Sequence, residues 1–299
     1  MTTGASASPV GEPQSGAKPS PVRRMVRKRR EFSQSQWPYL RKAPWQYATE
    51  LVRTRLAADD ERRLLTQARG GNDVCWAAAD ELEPLVTIRI ATYNRGQLVA
   101  ERAIASAIRQ TYERLEILVI GDHCDESTVR AVTSVNDPRL RFINLAEHGL
   151  YPKDPVLRWM VAGCAPMNAG LAVAQGSWIA PCDDDDEITD DHVEVLLREA
   201  RARRLEFVWS KAATEVEAGK WSVIGSTPLA HGQVTHGSVL FAGELRFFRY
   251  NENSWKLAEP FDWNLWRRMH AAGVKMGFVD EVTYKYFEAY HRPGRVIRS

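Results

Sequence analysis

The chain has 299 residues, of which 44% are hydrophobic and 26% are charged, a composition typical of soluble globular proteins. The net charge of +2 is unevenly distributed: residues 1–30 carry +6 and the rest of the chain carries −4, which argues against a basic nucleic-acid-binding domain. The four cysteines form no CxxC pair, and we find neither a signal-peptide pattern nor an apolar run of about 18–20 residues, so we expect a soluble cytoplasmic protein.

The N-terminal part is predicted to hold a tail followed by a helical extension. Residues 1–22 are rich in Ser, Gly, Pro and Ala, and we expect residues 1–36 to form a disordered basic tail. The run RRMVRKRR (23–30) could make peripheral contact with the inner face of an anionic membrane, although a solvated tail is the simpler interpretation. Residues 37–83 are the predicted extension, with a helix near 48–68 whose inner face would hold Leu51, Leu56, Leu64 and Leu65.

After Pro84, strand patterns alternate with helical patterns. Four segments rich in β-branched and other apolar residues predict buried strands, namely 85–93 (LVTIRIATY), 115–122 (LEILVIGD), 139–145 (RLRFINL) and 177–182 (SWIAPC). Helical patterns lie between these segments and after the last one. This alternation predicts an α/β fold with a doubly wound, mostly parallel sheet flanked by helices.

Polar side chains lie at the ends of three of these predicted strands. Thr92 and Tyr93 end the first strand, Asp122 ends the second, and Asp183–Asp186 follow the fourth. Ligands of such sheets bind beyond the carboxyl ends of the strands, so we expect these side chains to converge. An acidic run is often only a solvated loop or a helix N-terminus. Carboxylates placed directly after a buried strand would raise one another's pKa without a nearby cation, so the run favours a divalent metal site.

Four segments resemble, in the same order, the motifs of family 2 glycosyltransferases with the GT-A fold: VTIRIATYNR, ILVIGDHCDEST, PMNAGLAVAQGSWIAPCDDDDEITDDHVEVL and FDWNLWRRMHAAG. Together they span roughly residues 85–273. The resemblance implies an inverting transferase that uses a nucleotide-diphosphosugar together with Mn²⁺ or Mg²⁺. It also implies a nucleotide-sugar-binding subdomain at 84–225 and an acceptor-side subdomain at 226–299 that carries the catalytic base.

The resemblance assigns the nucleotide site residue by residue. Thr92, Tyr93 and Arg95 would hold the nucleotide at the end of the first strand. Asp122 would accept a hydrogen bond from uracil N3–H, a task that suits a carboxylate because it only accepts. His123 stands where the family often has glycine, which is a departure from the pattern of the base pocket.

The resemblance also assigns the remaining donor-site and metal-site residues. Asn168 and Gly170 match a segment near the nucleotide, although Met167 replaces its common basic residue. The run Asp183–Asp185 occupies the DxD position, where Asp183 and Asp184 would contact the nucleotide-sugar. Asp185, together with Asp183, would ligate the metal, and the late His291 is a candidate for a further ligand.

The segment EPFDWNLWRRM (259–269) matches the motif of the catalytic base. Asp262 is the expected base, although Phe261 replaces the acid that usually precedes it, and Glu259 is the next candidate. Asp262 could also serve as a helix N-cap. A base at this position would deprotonate the acceptor hydroxyl, which attacks C1 opposite the leaving diphosphate and inverts the anomeric configuration.

Several alternatives stay open at the level of the sequence. A UDP-sugar is the expected donor, whereas the transferred sugar and the acceptor, which could be a glycan, a lipid-linked molecule or a small molecule, are not specified. A nucleotidyltransferase would share the fold and the acidic metal site, but TYNRGQ matches a Gly-rich phosphate loop poorly. A non-catalytic nucleotide-sugar-binding protein is the third alternative, and the retention of both Asp185 and Asp262 argues against it.

Overall fold

Strands and helices alternate from Val86 onward in the computed structural model, which describes residues 44–75 and 83–287. Apart from Pro44, the described residues belong to one compact unit, Trp45–Ser299. The predicted tail, residues 1–36, lies outside the described residues. The predicted subdomain boundary between 225 and 226 stays a prediction, although strands on both sides of it belong to the same sheet.

Within the described residues, nine strands form one mixed sheet: β1 Val86–Thr92, β2 Leu115–Gly121, β3 Leu140–Asn144, β4 Trp178–Asp183, β5 Glu187–Ile188, β6 Phe207–Glu217, β7 Lys220–Ile224, β8 Val239–Ala242 and β9 Met276–Tyr286. Their order is β3-β2-β1-β4-β8-β6-β9-β5, and β7 pairs with β6. The first four strands of this order are parallel, as are β6 and β9. β8 runs antiparallel to both β4 and β6, and β5 to β9.

Helices flank this sheet: α1 Pro44–Arg69, α2 (96–108), α3 Glu126–Thr133, α4 Pro155–Trp159, α5 Cys164–Val173, α6 His192–Ala202 and α7 Phe261–Ala272. Helix α2 is continuous but changes pitch, with α-helical turns at Gly96–Val99 and Ala105–Ile108 around a π-helical stretch at Ala100–Ile104. Short 3₁₀ turns lie at His236–Ser238, Gly243–Phe247 and Ser254–Leu257. The α/β fold with helices around a mostly parallel sheet is therefore confirmed.

The central strands are buried because helices cover both faces of the parallel part of the sheet. Every residue of β2 is buried, and β1 is buried except at Ala91. On the other side, Trp266 of α7 is fully buried and packs its ring against Phe207 of β6 at 5.0 Å and Phe241 of β8 at 5.9 Å. This contact holds the middle of α7 over the antiparallel part of the sheet.

The sheet must curl, because the chain crosses between distant strands within a few residues. Strand β4 ends at Asp183 and β5 begins at Glu187, yet three other strands, β8, β6 and β9, separate them in the sheet order. A connection this short spans only about 3.5 Å per residue, so the far edge has to return towards the end of β4. The acidic run forms this connection and therefore lies where the two ends of the sheet meet.

Helix α1 confirms the predicted helical extension and attaches to the sheet through ion pairs. Arg69 donates through Nε and Nη2 to both oxygens of Glu206, at 2.9 and 2.6 Å. Arg268 of α7 donates to Glu61 from Nε at 2.9 Å. The predicted inner face is wrong in one position: Leu65 is buried, whereas Leu56 is 69% exposed.

One stretch of 19 residues, Pro155–Val173, is apolar enough by composition to span a membrane, with a mean hydropathy of 1.2 in an 18-residue window. The expectation that no apolar run of about 18–20 residues exists is therefore wrong by length and composition. The stretch consists of α4 and α5, separated by a turn, and α5 buries Cys164, Met167 and Leu171 against the sheet. These features are those of a core helix of the fold.

Candidate active site

The carboxyl ends of β1 and β4 bring a threonine, an arginine and two aspartates together. Thr92 Oγ1 donates to Asp184 Oδ2 at 2.8 Å. Arg95, just before α2, donates from the same Nη1 to Asp184 Oδ1 at 3.0 Å and to Asp185 Oδ2 at 2.6 Å. Two buried carboxylates thus share one guanidinium. This group, Thr92, Arg95, Asp184 and Asp185, is called the acidic cluster below.

The other two aspartates of the run have different partners. Asp183 Oδ1 accepts from His236 Nδ1 at 2.6 Å. Asp186 is fully buried and accepts from the Tyr284 hydroxyl at 2.7 Å and the Phe287 backbone N–H at 2.8 Å. The four consecutive carboxylates are therefore stabilised by groups from separate parts of the fold, and Asp186 ties the end of β9 to the end of β4.

The acidic cluster is electrostatically poised to receive a cation. Burial raises the pKa of Asp184 to about 7; the negative charge of Asp185 adds to this shift, whereas Arg95 and Thr92 oppose it. Arg102 of α2 contributes a further cation nearby, because its Nη1 donates to the Asp185 backbone carbonyl at 2.7 Å. Because burial is the main cause of the raised pKa of Asp184, a cation bound beside this carboxyl would favour its ionised form.

The donor set of the acidic run fits a hard divalent cation that a substrate also ligates. Within residues 44–75 and 83–287, no three His, Cys, Asp or Glu side chains are close enough to form a metal site alone. Mg²⁺ usually takes one or two protein carboxylates as ligands and completes its shell with water and substrate phosphates. Asp183 and Asp185 can supply these two carboxylates. The predicted additional ligand, His291, lies outside the described residues.

Asp122 lies beside the same edge, where its backbone N–H donates to the Thr92 carbonyl at 2.9 Å. Its carboxylate is contacted by the segment after β3: Gly149 N–H donates to Oδ1 at 2.9 Å and the Tyr151 hydroxyl donates to Oδ2 at 2.7 Å. His148 Nδ1 lies 3.1 Å from Oδ2, and its ring stacks on Tyr93 at a centroid distance of 4.4 Å. No motif in the sequence marks this segment, which contacts the carboxylate expected to bind the nucleotide base.

Asn168 and Gly170 are not part of the acidic cluster. The Asn168 amide exchanges two hydrogen bonds with the Tyr250 backbone, at 2.9 and 3.0 Å. A Cβ on Gly170 would lie 2.8 Å from Arg89 Cδ, so glycine makes room for that side chain. Both residues support the site from beneath, and their contact with a nucleotide stays a prediction.

Asp262 lies in the first turn of α7, close to the acidic run. The N-cap of α7 is Pro260, so the cap interpretation of Asp262 is wrong; its Oδ1 instead accepts the Trp263 N–H at 2.7 Å. Burial raises the pKa of Asp262; the Trp263 backbone N–H opposes the shift and the charge of Asp183 adds to it. A carboxyl whose pKa is moved towards neutrality suits a general base.

Glu259, the alternative base, is held by α7. It accepts from Arg267 Nε and Nη2, both at 2.9 Å, and from Asn264 Nδ2 at 2.6 Å. Both oxygens of Glu259 are thus engaged in hydrogen bonds to side chains of α7. The geometry therefore favours Asp262 over Glu259.

The structure is an α/β fold with an acidic cluster at the carboxyl edge of its parallel strands, and comparison with known proteins identifies its family. The family model "Glycosyl transferase family 2" matches residues 87–151 and 163–263, more than half of the chain. The chain therefore belongs to glycosyl transferase family 2, which confirms the resemblance inferred from the four motifs.

Curated relatives match the central part of the chain. The putative colanic acid biosynthesis glycosyl transferase WcaA of Escherichia coli is 36% identical over 117 residues, covering 38% of this chain and 37% of that protein. The succinoglycan biosynthesis protein ExoO of Rhizobium meliloti is 34% identical over 119 residues, covering 40% of this chain and 30% of that protein. The matches thus span well under half the length of these relatives.

Solved structures share the fold at low sequence identity. Staphylococcus aureus TarS aligns with a TM-score of 0.54 and 14% identity, covering 68% of this chain and 36% of that one. The mannosyltransferase PcManGT of Pyrobaculum calidifontis aligns with a TM-score of 0.50 and 17% identity, covering 85% and 69%. At these identities the likeness concerns the fold.

Proposed function

We propose that this chain is a metal-dependent, inverting glycosyltransferase that moves a sugar from a nucleotide-diphosphosugar, with UDP-sugars as the expected donors, to an acceptor hydroxyl. The observation that carries the proposal is the acidic cluster at the carboxyl ends of β1 and β4. The expected base, Asp262, lies close enough for the charge of Asp183 to affect its pKa. The nearness of Asp262 to the acidic run supports a site in which both groups act on one donor.

The donor would lie along the edge formed by β2, β1 and β4. Asp122 would accept the uracil N–H, Tyr93 would stack on the base, and Asp184 would approach the ribose. Two structural neighbours support such a donor class: TarS was solved in complex with UDP, and PcManGT in complex with GDP-Man and Mn²⁺. Those ligands belong to those proteins, and a GDP-sugar remains a donor to test here.

Asp185 and Asp183 would hold Mn²⁺ or Mg²⁺ together with the donor diphosphate. When bound, such an ion stabilises the negative charge that develops on the leaving diphosphate. Arg95 and Arg102 lie on the same side of the run, where they would balance the charge of the carboxylates and phosphates.

Asp262 would take the proton of the acceptor hydroxyl as its oxygen forms a bond to C1 of the sugar. The bond from C1 to the diphosphate oxygen breaks on the opposite face, so the anomeric configuration inverts and a nucleoside diphosphate leaves. The name of WcaA refers to colanic acid biosynthesis and that of ExoO to succinoglycan biosynthesis, which supports a glycan acceptor. A cytoplasmic location with peripheral membrane contact through residues 23–30 stays a proposal alongside this reaction.

The full chain can be tested with a panel of UDP-, GDP- and TDP-sugars, by thermal shift and by product analysis, with and without Mn²⁺. We expect metal-dependent stabilisation by one donor class and slow release of the nucleoside diphosphate. Asp185→Ala should abolish the metal dependence, whereas Asp190→Ala, which changes an exposed aspartate of the same segment, should leave it intact. Release of sugar 1-phosphate in place of the nucleoside diphosphate would indicate nucleotidyl transfer, because the bond between the two phosphates would then have broken. Binding without turnover would indicate a non-catalytic protein, and either result refutes the proposal.

A further inference from the structure

Arg89 lies in the middle of β1 and is fully buried, between Ile88 and Ile90. Burying a guanidinium costs free energy unless its donors are hydrogen-bonded. Its Nη2 donates to the Tyr250 hydroxyl at 2.8 Å and contacts His236 Nε2 at 3.1 Å. Among the described residues, Nε and Nη1 have no hydrogen-bond partner. Packing alone does not explain an arginine in this apolar strand. We therefore look for its role in the contacts that it makes with Tyr250 and His236.

The contact with Arg89 fixes the tautomer of His236. A guanidinium only donates hydrogen bonds, so Nε2 must accept through its lone pair, and the ring proton of the neutral imidazole must lie on Nδ1. The Tyr250 hydroxyl, 3.0 Å from Nε2, agrees with this assignment because it can accept from Arg89 and donate to the imidazole. An imidazolium would instead direct an N–H of Nε2 at the N–H of Arg89.

The Nδ1–H of His236 then donates to Asp183 Oδ1 at 2.6 Å. The ring itself is held in place by aromatic neighbours, with Phe261 at 5.2 Å and Trp266 at 6.3 Å between centroids. A directed series of hydrogen bonds therefore runs from the core of β1, through a fixed imidazole, to the first aspartate of the acidic run.

We propose that Arg89 and His236 are positioning residues of the donor site: Arg89 holds the imidazole in its Nδ1–H tautomer, and His236 holds the Asp183 carboxylate in the orientation that receives the donor and its metal. Residues that orient a ligating carboxylate through a second hydrogen bond are a general feature of metal sites. The inference rests on the proposed function for its effect on donor binding, but the hydrogen-bond arrangement can be tested independently of it.

The first experiment measures the tautomer directly in the full chain. ¹⁵N NMR of the His236 ring, in metal-free buffer, should show a protonated Nδ1 and an unprotonated Nε2. Arg89→Met replaces the donor with an apolar side chain, so Nε2 should become partly protonated while Asp183 still accepts from Nδ1. An Nε2 that stays as unprotonated as in wild type would overturn the role of Arg89. A wild-type ring that is protonated on Nε2, or on both nitrogens, would overturn the proposal whether or not the protein binds a nucleotide.

The second experiment compares His236→Asn with His236→Gln. The amide nitrogen of asparagine lies near the position of Nδ1, whereas that of glutamine lies near Nε2. With UDP and Mn²⁺ as probes in calorimetry, we expect His236→Asn to bind within about threefold of wild type and His236→Gln to bind about tenfold or more weakly, as for a lost hydrogen bond to a charged group. A histidine that only fills space predicts the reverse order, since asparagine leaves the larger cavity, and binding by His236→Asn no tighter than by His236→Gln overturns the proposal.

His192 provides a matched control, because it is also fully buried and its Nδ1 lies 2.7 Å from Thr283 Oγ1. His192→Asn and His192→Gln should lower the melting temperature and leave the dissociation constant of UDP unchanged. If wild type binds neither UDP nor GDP in the presence of Mn²⁺, the proposed function fails, and the NMR experiment still decides the role of Arg89. If His236→Gln does not fold, the same NMR experiment and Arg89→Met carry the test.

Discussion

Asp184→Asn should stabilise the metal-free protein at neutral pH, in proportion to the cost of ionising this carboxyl. Burial and the charge of Asp185 raise the pKa of Asp184 from 3.8 to about 7. At 1.36 kcal/mol per pH unit, this difference corresponds to about 4 kcal/mol. Because the folded state holds the proton up to a higher pH than the unfolded state, stability from this group is complete below pH 4 and declines as the pH rises towards 7.

The asparagine variant does not titrate, so the difference between the two proteins isolates this contribution. Its amide can accept from Arg95 and donate to the Thr92 hydroxyl, which keeps both hydrogen-bonding positions of Asp184 filled. The free energy of unfolding of Asp184→Asn relative to wild type should rise by up to about 4 kcal/mol between pH 4 and pH 8. Urea unfolding in EDTA, followed by tryptophan fluorescence at several pH values, measures this difference.

Asp190→Asn is the control, because this carboxylate lies in the same segment but its side chain is 61% exposed. Its stability relative to wild type should hardly change with pH. Adding Mn²⁺ and UDP should stabilise wild type more than Asp184→Asn, since the bound charges replace part of the lost solvation of the carboxylate. A difference between Asp184→Asn and wild type that stays flat from pH 4 to pH 8 would refute the reasoning.

Three further predictions concern catalysis, base recognition and the core. Asp262→Asn should lower turnover about 10²–10⁴-fold and leave the affinity for UDP unchanged in calorimetry. Glu259→Gln should lower the melting temperature and keep turnover; the opposite pattern would make Glu259 the base. Asp122→Ala should weaken UDP-sugar binding by about 1–3 kcal/mol in calorimetry, and equal affinity would exclude its role with the base. Burial lowers the pKa of His192 from 6.5 to about 4, so the protein should lose up to about 3 kcal/mol as the pH falls from 6.5 to 4, and His192→Gln should lack this loss in urea titrations.

The parallel half of the sheet could be predicted because its strands are continuous apolar runs. The segments predicted at 115–122 and 177–182 correspond within a residue to β2, Leu115–Gly121, and β4, Trp178–Asp183. The other half could not be predicted in the same way. The direction of β8 between β4 and β6 depends on pairing between distant segments, and β5 has only two residues, too few to give a periodic pattern.

The residues of the acidic cluster could be predicted because the carboxyl ends of parallel strands always meet at one edge. Their partners could not, since His236 is 53 residues from Asp183 and Tyr284 is 98 residues from Asp186. A local signal did exist for Arg89, a charged residue inside the apolar run LVTIRIATY, but only the structure shows that His236 receives its hydrogen bond. The segment that covers Asp122 carried no comparable signal.

The partners of the four aspartates separate structural from exchangeable carboxylates. Asp186 is fully buried and accepts hydrogen bonds from two neutral donors, the Tyr284 hydroxyl and the Phe287 backbone N–H. If a ligand displaced these donors, the buried charge of Asp186 would lose its hydrogen bonds. Asp184 and Asp185 instead share Arg95, whose side chain is 43% exposed and can rotate away at little cost. A metal and a diphosphate bring charges of both signs, so the carboxylates and Arg95 can each find a new partner when the donor arrives. In the proposed site, Asp184 and Asp185 would therefore exchange Arg95 for the donor and its metal, whereas Asp183 would bind the metal in the orientation that its hydrogen bond to His236 fixes.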